Sequence, residues 1–163
     1  MARLTDEKVE AFINLCIFTD KELSRIIKRS VFKGGKVMGD ALGRAVSRIP
    51  VDDGDHHHGR RKGLTSEQKR GLEESFGIAK VRETRYGWNV KAGFDGYNSV
   101  VTPKYPKGQP NAMIARSLNS GTSFLIKYPF MDSTVSAYKG ETVEAIEKEF
   151  DKRVDKIWNR DRV

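Results

Sequence analysis

Asn111-Ala-Met-Ile-Ala-Arg-Ser-Leu-Asn-Ser-Gly-Thr-Ser-Phe-Leu-Ile-Lys-Tyr-Pro-Phe130 reads as a short helix stopped by a glycine and followed by an extended stretch that ends in Pro129-Phe130. Asn111 can cap the helix after Pro110, Ile114 and Leu118 fall one turn apart on a single face, and Gly121 supplies the residue that ends it. The stretch holds no nucleophile, metal-ligand set or phosphate cradle. Its chemistry is the packing of one element on another, which is the chemistry of a building block.

Upstream, Thr19-Asp20-Lys21-Glu22 has the spacing of a capping box and starts a long helix. Its inner face runs through Leu23, Ile26, Ile27, Val31, Gly34, Met38, Ala41, Leu42, Ala45 and Ile49 at three- and four-residue spacing, and Pro50 ends it. Gly34, Gly35, Gly39 and Gly43 each cost such a helix about 1 kcal/mol relative to alanine. They mark close approach of a sheet or a neighbouring subunit, simple tolerance, or a kink at Gly34-Gly35. A shorter helical pattern, opened by Thr5-Asp6-Glu7 and carrying Val9, Phe12, Ile13 and Cys16, precedes it and ends near Phe18.

Between these helices the chain reads as a sheet. Thr65-Ser66-Glu67-Gln68 is a second capping-box spacing, predicting a helix over Ser66–Glu74. Phe76–Thr84 and Tyr86–Phe94 read as paired strands, with Trp88, Val90, Ala92 and Phe94 alternating onto one buried face. Trp88 is a core residue on that alternation; base stacking is the other use of such a ring. Gly96–Pro110, with prolines at 103, 106 and 110, reads as a protruding arm, with a short strand at Val100-Val101-Thr102. A last helical stripe runs from Met131 through Val135, Tyr138, Val143, Ile146, Phe150 and Val154 to Ile157, and fits docking on the sheet or, with fewer heptads than usual, a coiled coil. The fold class is therefore α+β: a long N-terminal helix and a C-terminal helix packed on one face of a small, mainly antiparallel sheet. One domain over 1–163 is expected, with 1–19 as a helical extension and 51–63 and 95–110 as flexible loops.

The net charge of +8 is unevenly placed: residues 56–110 carry eleven Lys or Arg against five Asp or Glu, while 139–163 balance seven against seven. A basic middle suits nucleic acid or another acidic surface, or is a solvated face. Apolar runs are too short for a membrane span and no secretory leader is read at the amino terminus, so no membrane partner is expected. Cys16 is the only cysteine and sits among Leu15, Ile17 and Phe18, as a buried thiol would. His56-His57-His58 beside Asp52, Asp53 and Asp55 suggests a metal, but consecutive loop residues rarely aim three imidazoles at one ion. No metal, cofactor or catalytic constellation is expected, and the chain does not read as an enzyme. Arg60-Arg61-Lys62 reads as an exposed basic loop.

Three segments in order, Ile49-Pro50-Val51-Asp52-Asp53-Gly54, Gly93-Phe94-Asp95-Gly96-Tyr97-Asn98 and the stretch from Asn111 to Phe130, give residues 20 to 160 a resemblance to the small neck and tail-completion proteins of long-tailed bacteriophages and prophages. That family typically has threonine where Asp53 stands, tyrosine where Ile114 stands and glutamate where Asn119 stands. The resemblance implies a virion protein, a structural subunit of the neck or tail that completes the tail or joins it to the head. It implies a homo-oligomeric ring, hexameric or matched to a dodecamer, between head-closure or connector proteins and the tail terminator or tail tube. Met113, Arg116, Ser120, Thr122, Phe124, Tyr128 and Phe130 are then the subunit-interface candidates, and Arg60, Arg61 and Lys62 the candidates for transient contact with genomic DNA in the channel. The alternative reading is a basic nucleic-acid-binding module.

Overall fold

The long amphipathic stripe forms α1 (Asp20–Ser47), a single α-helix that passes through Gly34-Gly35 without interruption and relaxes into a turn at Arg48 and Ile49 before Pro50. The computed structural model describes residues 20–55 and 59–160. The helix read over Thr5–Phe18, Cys16, the Thr19 cap and the three histidines lie outside the described residues. α2 (Ser66–Ser75) starts on the expected capping box, with Thr65 accepting from the Gln68 backbone N–H while the Gln68 side chain accepts from Thr65.

The strands form one hairpin in two pieces. β1 (Phe76–Ile78) pairs antiparallel with β4 (Ala92–Phe94), and β2 (Arg82–Thr84) pairs antiparallel with β3 (Gly87–Asn89). Ile78 faces Ala92 and Arg82 faces Asn89, so three residues on the first arm, Ala79 to Val81, stand against two on the second, Val90 and Lys91. The extra residue breaks the ladder as a bulge does and changes which way the outer piece faces. Phe76, Ile78, Ala92 and Phe94 are half-buried, whereas Arg82, Glu83 and Thr84 are exposed.

α1 lies on the apolar side of this hairpin by virtue of its glycines. A Cβ on Gly35 would collide with Val90 and one on Gly39 with Ile78, while one on Gly43 would lie 3.7 Å from the Phe76 ring. Three glycines four residues apart thus make a bare track on which the hairpin side chains rest. A fourth, Gly34, turns to α4 (Phe130–Arg160), where Ile146 and the Thr142 carbonyl fill the space a side chain would need. The Arg44 guanidinium stands 5.7 Å from the Tyr138 ring centroid, so α1 and α4 run antiparallel. The α+β architecture is as expected; α1 carries the main contact with the hairpin, and α4 lies against α1 and reaches the hairpin through Phe130, whose ring meets Phe94 edge-on. Val135 and Val143 of the expected α4 stripe face outward, 46% and 45% exposed.

The core gathers at the C-terminal end of α1. Val46 and Ile49 join Leu64, Leu72 of α2, Ile114, Ala115 and Leu118 of α3 (Asn111–Ser120), Leu125 and Phe130. Five of these nine residues come from the stretch between Asn111 and Phe130. That stretch is the hub of the fold.

Candidate functional site

The hub is held by backbone geometry at both ends. α3 begins at Pro110 rather than on an Asn111 cap: Asn111 is inside the helix, 2% exposed, and donates through Nδ2 to the Asp95 carbonyl. At its other end Gly121 adopts a φ of 77°, its N–H donates to Ser117, and the Lys127 backbone lies 3.1 Å from where a Cβ would be. Only glycine meets both demands. The chain then turns through a Thr122 N–H to Leu125 carbonyl bond, and the Tyr128 N–H donates back to Leu118. Asn119, 7% exposed, accepts from the backbone N–H groups of Met131 and Asp132 and donates to the Asp132 carboxylate. It thereby satisfies the orphan donors at the start of α4, a cap contributed by another helix.

The described residues of 51–63, which read as a loop, are tied to one another and to the hub by hydrogen bonds. The Asp52 N–H donates to Leu64, Leu64 donates to Pro50, and the Lys62 N–H donates to the Asp52 carboxylate. Arg61 inserts between Phe124 and Ile126 as a parallel bridge, accepting at 2.8 Å from Ile126 and donating at 2.9 Å to Phe124. The Arg60 guanidinium donates to the Leu125 carbonyl at 3.0 Å. Arg60 and Lys62 are exposed, as the sequence suggests, and Arg61 is half-buried; the Arg60 guanidinium and the Arg61 backbone also fasten the 122–126 turn. Asp53 accepts from both the hydroxyl and the N–H of Ser66, and these bonds hold its carboxyl below the usual aspartate range, the hydroxyl bond most of all.

Residues 95–110 are likewise folded back. The buried Asn98 carboxamide oxygen accepts from the N–H groups of Val100 and Gln109, and Thr102 bridges to Tyr105. Val100-Val101-Thr102 forms no strand.

The interface candidates divide by exposure. Arg116, Ser120 and Phe124 are exposed, Phe124 to 64%. Met113, Thr122 and Tyr128 are half-buried, with the Tyr105 hydroxyl 3.1 Å from the Met113 sulfur. Phe130 is 5% exposed and belongs to the chain's own core, so it has no surface to offer a neighbour. Ile126, 39% exposed, takes its place beyond Phe124: Leu125 points inward and its two neighbours outward, the period of an extended strand. Beside this edge Met113, Ile114, Leu64 and Phe124 line a cavity of about 70 Å³.

A second surface lies at the opposite end of α1. Two adjoining cavities, of about 280 and 680 Å³, share Arg25, Arg29 and Arg153 and follow the cleft between α1 and α4 out to the hairpin. α1 adds Lys28 and Lys33, the bulge adds Lys80 and α4 adds Lys156, while among the described residues the only acids lining the cleft are Glu22 and Glu149. Sequence reading does not assemble this set because its members come from three elements; the one local signal is the four-residue spacing of Arg25, Arg29 and Lys33. Among the described residues no group of three or more His, Cys, Asp or Glu is placed to hold a metal ion, and no helix is long and apolar enough to cross a membrane. Comparison of the chain with family models, with curated proteins and with solved structures finds no match.

Proposed function

We propose that this chain is a structural subunit of a bacteriophage neck or tail, completing the tail or joining it to the head, and that it works by assembling into a ring. The observation that carries this reading is the pinned apolar edge at Phe124 and Ile126. Both side chains stand in water, yet the backbone beneath them is fixed by Arg60, Arg61 and Thr122. An apolar edge held rigid without cover gains by docking, because little ordering entropy remains to be lost when a neighbour covers it. A closed ring needs a head-to-tail contact in which this edge meets a different surface of the next copy. Arg116 and Ser120, exposed on α3 beside the hub, supply the polar rim of that contact. The order of the three sequence segments supports the placement between connector proteins and tail tube, in a virion.

Phe124→Asp tests the reading. The wild-type protein, mixed with tails that lack their terminal component, forms rings visible by negative stain, and the variant folds but leaves the tails open. Wild-type protein that stays monomeric by light scattering and never joins a tail or connector overturns the proposal.

The second reading, a nucleic-acid-binding module, is favoured by one observation, the basic cleft between α1 and α4.

A further inference from the structure

We infer that the cleft between the N-terminal half of α1 and the C-terminal half of α4 is a nucleic-acid site that holds a strand by its phosphates without reading its bases. The inference stands on the cleft alone, whatever the chain assembles into.

Among the described residues seven cations line the cleft against two carboxylates. One carboxylate, Glu149, is already bound by Arg153. The Arg153 Nε–H is buried and has no acceptor among the described residues, so a donor stands unused at the point the two cavities share. Among the described residues Arg25, Arg29, Lys33, Lys80 and Lys156 form no ion pair. Gathering like charges beside a low-dielectric wall is unfavourable until an anion enters, and the same arrangement raises the local concentration of one.

The shape selects a linear anion over a compact one. The cleft follows α1 from Glu22 to Lys33, and residues four apart on a helix rise about 6 Å, so Arg25, Arg29 and Lys33 form a ladder instead of converging on one point. A polymer with a charge on every unit matches a ladder; a single phosphate would leave most rungs empty. Phe32, 47% exposed beside the ladder, and the aliphatic stems of the cations offer apolar faces on which bases can rest. Among the described residues the lining is almost all cation on flexible stems, spaced along the cleft like the evenly repeated phosphates of a strand, and no rigid element is placed to enter a groove, so the contact is to the backbone and carries no sequence preference.

Fluorescence anisotropy with labelled oligothymidylate and with a mixed-sequence duplex, across a salt series, tests the site. The variant Arg25→Gln, Arg29→Gln, Lys33→Gln removes three exposed side chains and retains the helix. It is expected to weaken binding by roughly tenfold or more at low salt, and to reduce the slope of log K against log salt by about 2. Lys104→Gln, Lys107→Gln, Lys127→Gln removes the same charge from the other end of the molecule and is expected to change affinity by no more than about twofold. Phe32→Ala is expected to weaken single-strand binding more than duplex binding. Equal losses in the two triple variants would show that net charge alone acts, and would overturn the site. So would wild-type protein that ignores both nucleic acids while binding an acidic polypeptide. None of these measurements involves rings or tails, so their failure leaves the assembly proposal to its own test.

Discussion

At its C-terminal end α1 and the turn after it deliver Val46 and Ile49, each 1% exposed, into a core shared with α2, α3 and the start of α4. At its N-terminal end the same helix carries Arg25, Arg29 and Lys33 along a cleft whose far wall is α4, with Phe32 half in water. One helix thus joins a closed end to an open one. The closed end brings together residues far apart in the chain, and every vacancy there costs transfer energy plus a cavity. The open end is held by helix-to-helix contact, and its cationic side chains can be exchanged with little effect on folding. Cohesion and recognition are assigned to different ends, and substitutions should separate them.

The largest expected effect belongs to the closed end. Leu118→Ala empties a position that is fully buried and should cost about 3–5 kcal/mol, whereas Phe32→Ala at the open end should cost under about 1 kcal/mol. Chemical denaturation of both variants checks this, and equal losses would mean that the open end shares the core. A smaller contrast lies along the helix pair. Gly34→Ala forces a methyl into Ile146 and the Thr142 carbonyl and should cost about 1–3 kcal/mol. Gly140→Ala in α4 meets nothing within 4 Å and should stabilise by about 0.5–1 kcal/mol. A neutral Gly34→Ala would show that the two helices stand further apart than the structure has them.

The smallest effect is a pH dependence. The Asp53 carboxyl titrates below its ordinary value of 3.8 because Ser66 bonds to its charged form. A lowered folded-state pKa contributes stability that is present above the unfolded value and is lost as the pH falls through the folded one. Thermal melts should therefore show a small loss below about pH 4 that Asp53→Asn abolishes. An unchanged acid limb in the variant would assign that loss to other carboxylates.

Local signals account for what is legible in the chain. The Thr65 capping box, the Gly121 stop and the Pro50 terminus each depend on neighbours within a few residues, and each stands where the sequence puts it. The alternation from Trp88 to Phe94 does not run through, because the strand is interrupted at Val90 and Lys91 and Asn89 and Gly93 are as buried as their neighbours. The capping role of Asn119 is not legible locally because its partners, the first N–H groups of α4, lie across a turn whose path no local rule gives. That the Arg60 guanidinium and the Arg61 backbone fasten the 122–126 turn is not legible locally, because the groups they bind lie some 65 residues downstream. Phe130 was counted as surface for the same reason: whether an aromatic after proline faces in or out depends on Phe94, far upstream. The four helical glycines were visible as a cost, but Ile146, Val90 and Ile78, which occupy the space they leave, were not.

The pairing of α1 with α4 also sets a timetable. Gly34 meets Ile146 about 110 residues further along, so α1, among the first described elements to be synthesised, waits for one of the last. Translation proceeds at roughly 5–20 residues per second, so the wait lasts several seconds, far longer than a helix needs to form or fray. The hairpin can settle on the glycine track early in that interval, but the Gly34 side of α1, which α4 covers in the finished fold, stays bare and open to a chaperone until α4 arrives.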